Sequence, residues 1–493
     1  MKKLLILLLL LPLVSCKEKP FAVINIYHTG GVGGMYWSRE EPAFDNRAAG
    51  GYAVLKNFLA SQPGKKLILD SGDWFSQTPE GTLFKATFPL GVMKELGYDA
   101  TGISDQDINP GWAPLYDSIK NSGMTVISSN LQTKTGAAPP RVQSFVIKEI
   151  SGVKVGIFSL IITANILAAQ SRLGDVSAQD EIDAAAAAVN ALKDKGADII
   201  ILLTDIGEND VNFDEHSILE QVEGIDLILS VAAQGDEADM EKYNGAFIVR
   251  SAPFLTSVSK LKITFDGDKK ISMVRFDSAP LLKDTYGEDE DLAAQITRMR
   301  ASAHKKLNYV VATAENEIKD VDNAPGYLGE LIAGCLKEWA KTDIGIINSD
   351  SVRSNIPAGK ITEYSLYELY PYGDTVMSVR LRGEEIKNII EKSLSSKNNF
   401  PQFAGVKIEY DPSAGEGARI KKILVNNAPV QPQTIYRMAA TDHIIAGGFG
   451  HDEFINVVEF KNTQIDVRAV LRQCFAKKKI IKDEPPAAWK TVQ

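Results

Sequence analysis

At 493 residues the chain is too long for one ordinary hydrophobic core, so two or three domains are expected. Its 44% hydrophobic and 24% charged residues are an ordinary globular balance. A formal net charge of −9 argues against a nucleic-acid binder, which normally presents a basic face.

In chain order, Met1-Lys2-Lys3 is followed by an apolar run from Leu4 to Val14, too short to span a bilayer, and "LVSC" closes it at Cys16. The arrangement resembles a bacterial lipoprotein signal. It implies that residues 1–16 end at a lipidated Cys16, which anchors the mature protein in the cell envelope, facing periplasm or surface. From Phe21 to about Ser278, strand-like apolar runs alternate with amphipathic helices. "FAVINIYHT", "KLILDSGD", "MTVISSNL", "VKVGIFSLI", "ADIIILLTD" and "IDLILSVAA" read as strands. "GGYAVLKNFLAS", "PLGVMKELG" and "DEIDAAAAAVNALKDKG" read as helices between them, a pattern of covered sheets. "SKLKITFDGDKKISMVRFD" is a hairpin with an Asp-Gly turn.

The segment 284–320 is acidic first and basic last, as a helix dipole favours, and polar enough for a solvent-bridging linker helix. A second α/β region occupies 321–476, and the tail 477–493 reads as poorly packed. Cys335 and Cys474 sit in helix-like apolar patterns and are expected in the core as unpaired thiols.

The motifs "YHTGGVGG", "LDSGDWF", "TGISDQD", "LLTDIG" and "GIDLILSVAAQ" follow the order and spacing of the calcineurin-like metallophosphoesterases. "LGELIAGCL", "INSDSVRSNIPAGKIT", "LYELYPYGDT" and "ATDHIIAGGFG" resemble the C-terminal domain of the 5′-nucleotidase family. The resemblance implies an α/β (α+β) protein. Its N-terminal part, 17–283, is then a metallophosphoesterase-like β-sandwich flanked by helices, and its C-terminal domain is α/β.

The chemistry of that family needs two divalent metals that generate a hydroxide and clamp phosphoryl oxygens. Its Asp-x-His falls here on Gly31 and Gly33, and its Asn-His on Ser104 and Asp105. Another His falls on Asp205, and the final Gly-His-x-His on Val231, Ala232 and Gln234. Asp73, the expected metal-bridging carboxylate, survives. Asp73, Asp105, Asp205 and Gln234 are therefore the remaining metal-ligand candidates. An oxygen-only set suits one Mg²⁺ or Ca²⁺ rather than Zn²⁺, and the alternative is three ordinary loop aspartates in water.

In the second domain the family stacks a nucleoside base between two aromatic rings. Tyr372 and His443 stand at those positions, with Asn348, Arg353 and Asp374 at the expected polar ones, while Phe449 replaces the ribose-binding Asp. These residues are expected to bind a nucleotide-like or planar small ligand. The functional expectation is an envelope-anchored, 5′-nucleotidase-like lipoprotein with an impaired catalytic centre, acting by binding a nucleotide-like or planar small ligand or an envelope protein partner. The alternative is an active nucleotide phosphoester hydrolase with a remodelled site.

Overall fold

A computed structural model describes residues 21–166, 170–206, 214–233, 237–319, 324–394, 400–447, 454, 457 and 459–492. Cys16, Gln234 and Phe449 lie outside the described residues.

The N-terminal apolar runs form two sheets. One is ordered Ile271–Pro280, Ser257–Phe265, Ala22–Thr29, Lys66–Asp70, Ala100–Thr101, Val126–Ile127, Val142–Gln143. The other is ordered Asp239–Tyr243, Ala246–Ser251, Leu227–Val231, Ile199–Thr204, Val153–Leu160, Phe145–Ile150. Their facing sides share a core that includes Ile26, Leu69, Ile157, Leu203, Leu229 and Ile263. The helices Tyr52–Ser61, Thr87–Glu95 and Trp112–Ser122 bury apolar stripes on the outer face of the first sheet. Glu181–Asp194 and Glu215–Gln221 do the same on the second. This is the expected helix-flanked sandwich, and the central strands are apolar on both faces because both faces are covered. The Asp-Gly hairpin is the antiparallel pair Ser257–Phe265 and Ile271–Pro280.

The C-terminal domain is built on a sheet ordered Pro401–Ala404, Ile344–Asn348, Ile435–Thr441, Thr375–Arg382, Phe460–Asp466. Helices Tyr327–Ala340 and Val467–Lys478 pack together in one core cluster with Ile347, Val376 and Ala439.

Three expectations are corrected. Cys335 and Cys474 are buried, but they are joined in a disulfide, because their two helices meet with Cα atoms 5.7 Å apart. The tail is packed. Ile480–Ile481 pairs with Val310–Ala314, and Trp489–Thr491 pairs with Val406–Tyr410, with Trp489 8% exposed among Phe400, Phe403 and Tyr410. The linker helix, Glu290–Leu307, does not run free through solvent. It buries Leu292, Ile296, Met299, Ala303 and Leu307, spaced to form one stripe.

Candidate functional site

The loops that follow strands Ala22–Thr29, Lys66–Asp70, Ala100–Thr101 and Ile199–Thr204 leave the same edge of the sandwich, where α/β proteins commonly place ligands. Asp73 stands on the second loop with φ 53°, a left-handed conformation that aspartate tolerates better than most residues. Asp107 fixes that loop by accepting from the N–H groups of Asp73 (2.9 Å), Trp74 (2.8 Å) and Ser104 (3.0 Å). Ser104 caps the short helix Asp105–Ile108, so Asp105 opens it. Beneath them Asp70 accepts from Thr29, Thr101, the Gly72 N–H and the Trp74 indole. Asp70 and Asp107 are thus scaffold carboxylates.

Asp73, Asp105 and Asp205 feel one another. Burial, then the charges of Asp105 and Asp70, push the Asp73 carboxyl up to about 6, against the Ser76 hydroxyl that donates to it. Burial raises Asp105, and the His443 charge pulls it partly back. Burial raises Asp205 well above the carboxylate range, followed by Asp73 and Asp105. Neighbouring carboxylates without a cation hold protons in this way. Among the described residues, no three His, Cys, Asp or Glu side chains converge closely enough to share a metal ion.

The positions that the family resemblance assigns to further metal ligands are filled by packing. Gly31 has φ +57°, and a Cβ there would lie 2.7 Å from Val231 Cγ1 and 3.3 Å from Pro253 Cβ. Gly33 also has φ +57°, and a Cβ there would lie 2.8 Å from Gln77 Cγ and 3.1 Å from the Phe254 ring. The glycine loop is hydrogen-bonded to the Asp73 loop through Gly31 N–H to Gly72 O (2.9 Å) and Gly33 N–H to Asp73 O (2.7 Å). Neither an aspartate at 31 nor a histidine at 33 fits without displacing the side chains of Val231 and Pro253 or of Gln77 and Phe254. The residues present therefore do not fit a two-metal centre. His28, the histidine nearest the motif, is buried between Ser251 (2.7 Å) and Ser71 (2.8 Å), and burial lowers its pKa to about 3. It is a neutral core residue.

The second domain closes over this edge. Arg172 donates to Asp442 at 2.7 Å and to the Asn109 carbonyl at 2.8 Å, and Asn109 donates to Asp374 at 3.2 Å. Thr82 donates to the Pro371 carbonyl at 3.1 Å. These contacts bring Tyr372 near enough for the Asp73 charge to raise its phenol, which burial pushes to about 12 while Arg353 opposes. Asp374 is buried and also accepts from the Tyr370 hydroxyl at 2.5 Å, so both of its oxygens hold the structure together. Tyr372 meets Tyr370 edge-on at 5.5 Å, leaving its ring half-buried. Asn348 is fully buried at the end of its strand. Their mutual electrostatic influence sets Asp73, Asp105, Asp205, Arg353, Tyr372 and His443 near one another where the two domains meet. Sequence reasoning missed Val231, Pro253 and Phe254 as fillers and Arg172 and Asn109 as clamps, and no local sequence signal marks any of them.

Residues 308–457 match the model of the 5′-nucleotidase C-terminal domain. A 5′-nucleotidase of Vibrio parahaemolyticus is 21% identical over 502 residues, covering 91% of this chain and 88% of its own. The trifunctional nucleotide phosphoesterase protein YfkN of Bacillus subtilis is 24% identical over 455 residues and 81% of this chain, which spans only 31% of that longer protein. The crystal structure of a 5′-nucleotidase precursor from Thermus thermophilus superposes with a TM-score of 0.74 at 20% identity, over 96% of this chain and 99% of that one.

Proposed function

Because this chain belongs to the 5′-nucleotidase family by its C-terminal domain and two-domain fold, we propose that it acts by binding a small ligand rather than by hydrolysing one. The observation that carries this reading is the packing around Gly31 and Gly33. Val231, Pro253, Gln77 and Phe254 occupy the space in which metal-binding side chains would have to stand. Loss of ligands alone would leave a two-metal site restorable by single substitutions, whereas loss of the room for them does not.

The ligand of this reading is a nucleotide-like or planar compound in the interdomain cleft, stacked on Tyr372 with Arg353 beside it. Ser349, next to Asn348, supports it: among the described residues its buried hydroxyl has no hydrogen-bond partner, an arrangement that a bound polar group would complete. The competing reading is a phosphoester hydrolase using one Mg²⁺ or Ca²⁺ on the acidic cluster. It draws on the shared edge of Asp73, Asp105 and Asp205. We also place the protein in the cell envelope, held by lipid on Cys16. The disulfide supports export, since such bridges persist in oxidising compartments.

Tyr372→Ala tests the ligand reading. Removing base stacking costs about 1–3 kcal/mol, a roughly tenfold to hundredfold loss of affinity. A calorimetric screen of nucleosides, nucleobases and planar acids is expected to give a ligand that weakens by that factor in the variant. A ligand indifferent to the change would place binding elsewhere, and a screen without ligands would favour a protein partner.

A further inference from the structure

The N-terminal sandwich has two edges at which loops leave its strands, and the candidate site uses one of them. The glycine loop and the Asp73 loop follow the C-terminal ends of Ala22–Thr29 and Lys66–Asp70. At the opposite edge the chain enters the sandwich through Phe21, whose N–H donates to the Phe265 carbonyl at 3.0 Å. The strand Ala22–Thr29 separates the two edges by roughly 23 Å.

Phe21 is 47% exposed, although the next residue, Ala22, is buried. Its ring lies over the turn at Gly152, where an added Cβ would stand 3.6 Å from Cζ. The Lys269 ammonium, paired with Asp198 at 3.0 Å, stands 5.7 Å from the ring centre. Val23, Thr264 and Met273 form one row across three adjacent strands. That row places Met273, as exposed as Phe21, within roughly 10 Å of Val23. Around this apolar pair, the exposed Lys154 and Lys270 are balanced by the exposed Asp266 and Asp268. The charges nearly cancel, so the edge carries no strong field of either sign. Exposed apolar side chains among lysine stems suit the headgroup layer of a bilayer, where the apolar part dips in and the ammonium stays wet.

The chain before Phe21 identifies the occupant. Cys16 precedes it by five residues, a reach of at most about 18 Å even when fully extended. Lipid on Cys16 therefore holds this edge close to the bilayer surface and leaves the cleft edge farther out.

We propose that the Phe21 edge is a membrane-resting face, with Phe21 and Met273 in the headgroup layer and the cleft opening toward water. The proposal rests on the lipid anchor at Cys16 and adds the orientation of the folded part to it. Because the face is nearly neutral, zwitterionic lipid is enough to hold it. The cleft then takes its ligand from solution and not sideways from the bilayer.

Fluorescent probes on single introduced cysteines test this in the mature lipidated chain, on phosphatidylcholine vesicles that carry a headgroup-attached quencher. Cys335 and Cys474 are bridged, so the introduced thiol is the one that labels. Lys270→Cys and Met273→Cys report the proposed face. Glu40→Cys, exposed on the hairpin that follows the glycine loop, reports the other edge. Quenching at 270 and 273 is expected to exceed that at 40 at least threefold. Phe21→Ser is expected to bring that ratio at least halfway to one while the protein still floats with the vesicles. A body that merely hangs from its tether gives a ratio that Phe21→Ser does not change. Equal quenching at the three positions, or a ratio indifferent to Phe21→Ser, overturns the face and leaves the anchor standing. A mature chain whose mass shows no lipid on Cys16 removes anchor and face together.

Discussion

Loss of the Cys335–Cys474 bridge, by reduction or by the double change to alanine, is expected to lower stability by about 4–5 kcal/mol. The cross-link joins helices Tyr327–Ala340 and Val467–Lys478 across a sequence separation of 139 residues. A loop that long loses much chain entropy when closed in the unfolded state, which is why the effect stands near the top of the range for a single disulfide. Urea unfolding with and without a thiol reductant measures it. An unchanged midpoint would mean the bridge does not form. Thiol alkylation of protein taken directly from cells extends the test to location. The envelope reading expects residues 335 and 474 to be blocked, and the protein to enter the detergent phase through Cys16. Free thiols at both positions in fresh cells would contradict export.

The second large effect concerns the acidic cluster. Asp73→Asn is expected to stabilise the protein at pH 8 by on the order of 1–3 kcal/mol, by roughly half as much at pH 5, and to change little at about pH 3.5, so the comparison runs between pH 8 and pH 3.5. The native carboxyl is pushed up to about 6, chiefly by burial and then by Asp105, whereas an unfolded aspartate titrates near its ordinary value. The native state therefore holds its proton to higher pH than the unfolded state does. The stability this contributes is fully present below the unfolded pKa and is lost as pH rises through 6. At pH 8 the wild type carries a charge beside Asp105 and Asp205 that asparagine removes. Asparagine also accepts the Ser76 hydrogen bond and tolerates the left-handed backbone. Chemical denaturation at the two pH values, with and without Mg²⁺, reads the sign. A variant less stable than the wild type when Mg²⁺ is present would mean that the carboxylate serves as a ligand.

Much of the fold is legible because each strand of the sandwich is a continuous apolar run and each covering helix an amphipathic one. The Asp-Gly hairpin announces itself by its turn. The linker helix misleads through its mean polarity, although Leu292, Ile296, Met299, Ala303 and Leu307 recur at helical spacing and spell out a buried stripe. The disulfide is invisible for a different reason. Nothing within either helix reports that two segments 139 residues apart meet, and a buried thiol looks the same as a buried half-cystine. In the tail, the lysines and the Pro-Pro pair conceal Trp489, whose burial depends on a strand far earlier in the chain. The departures from the family's metal-ligand motifs at Gly31, Gly33, Ser104 and Asp205 can be read directly from the sequence. What cannot be read is that Val231 and Phe254 have taken the ligands' place, since a glycine in sequence does not show whether the space beside it is empty or full.

The most direct test of the central claim is elemental analysis of protein equilibrated with Mn²⁺, Zn²⁺, Mg²⁺ and Ca²⁺, paired with phosphate release from AMP on the same sample. The packing around Gly31 and Gly33 predicts no pair of ions per chain and no metal-dependent turnover. Two Mn²⁺ or Zn²⁺ ions per chain, with AMP hydrolysis that Asp73→Asn abolishes, would contradict it.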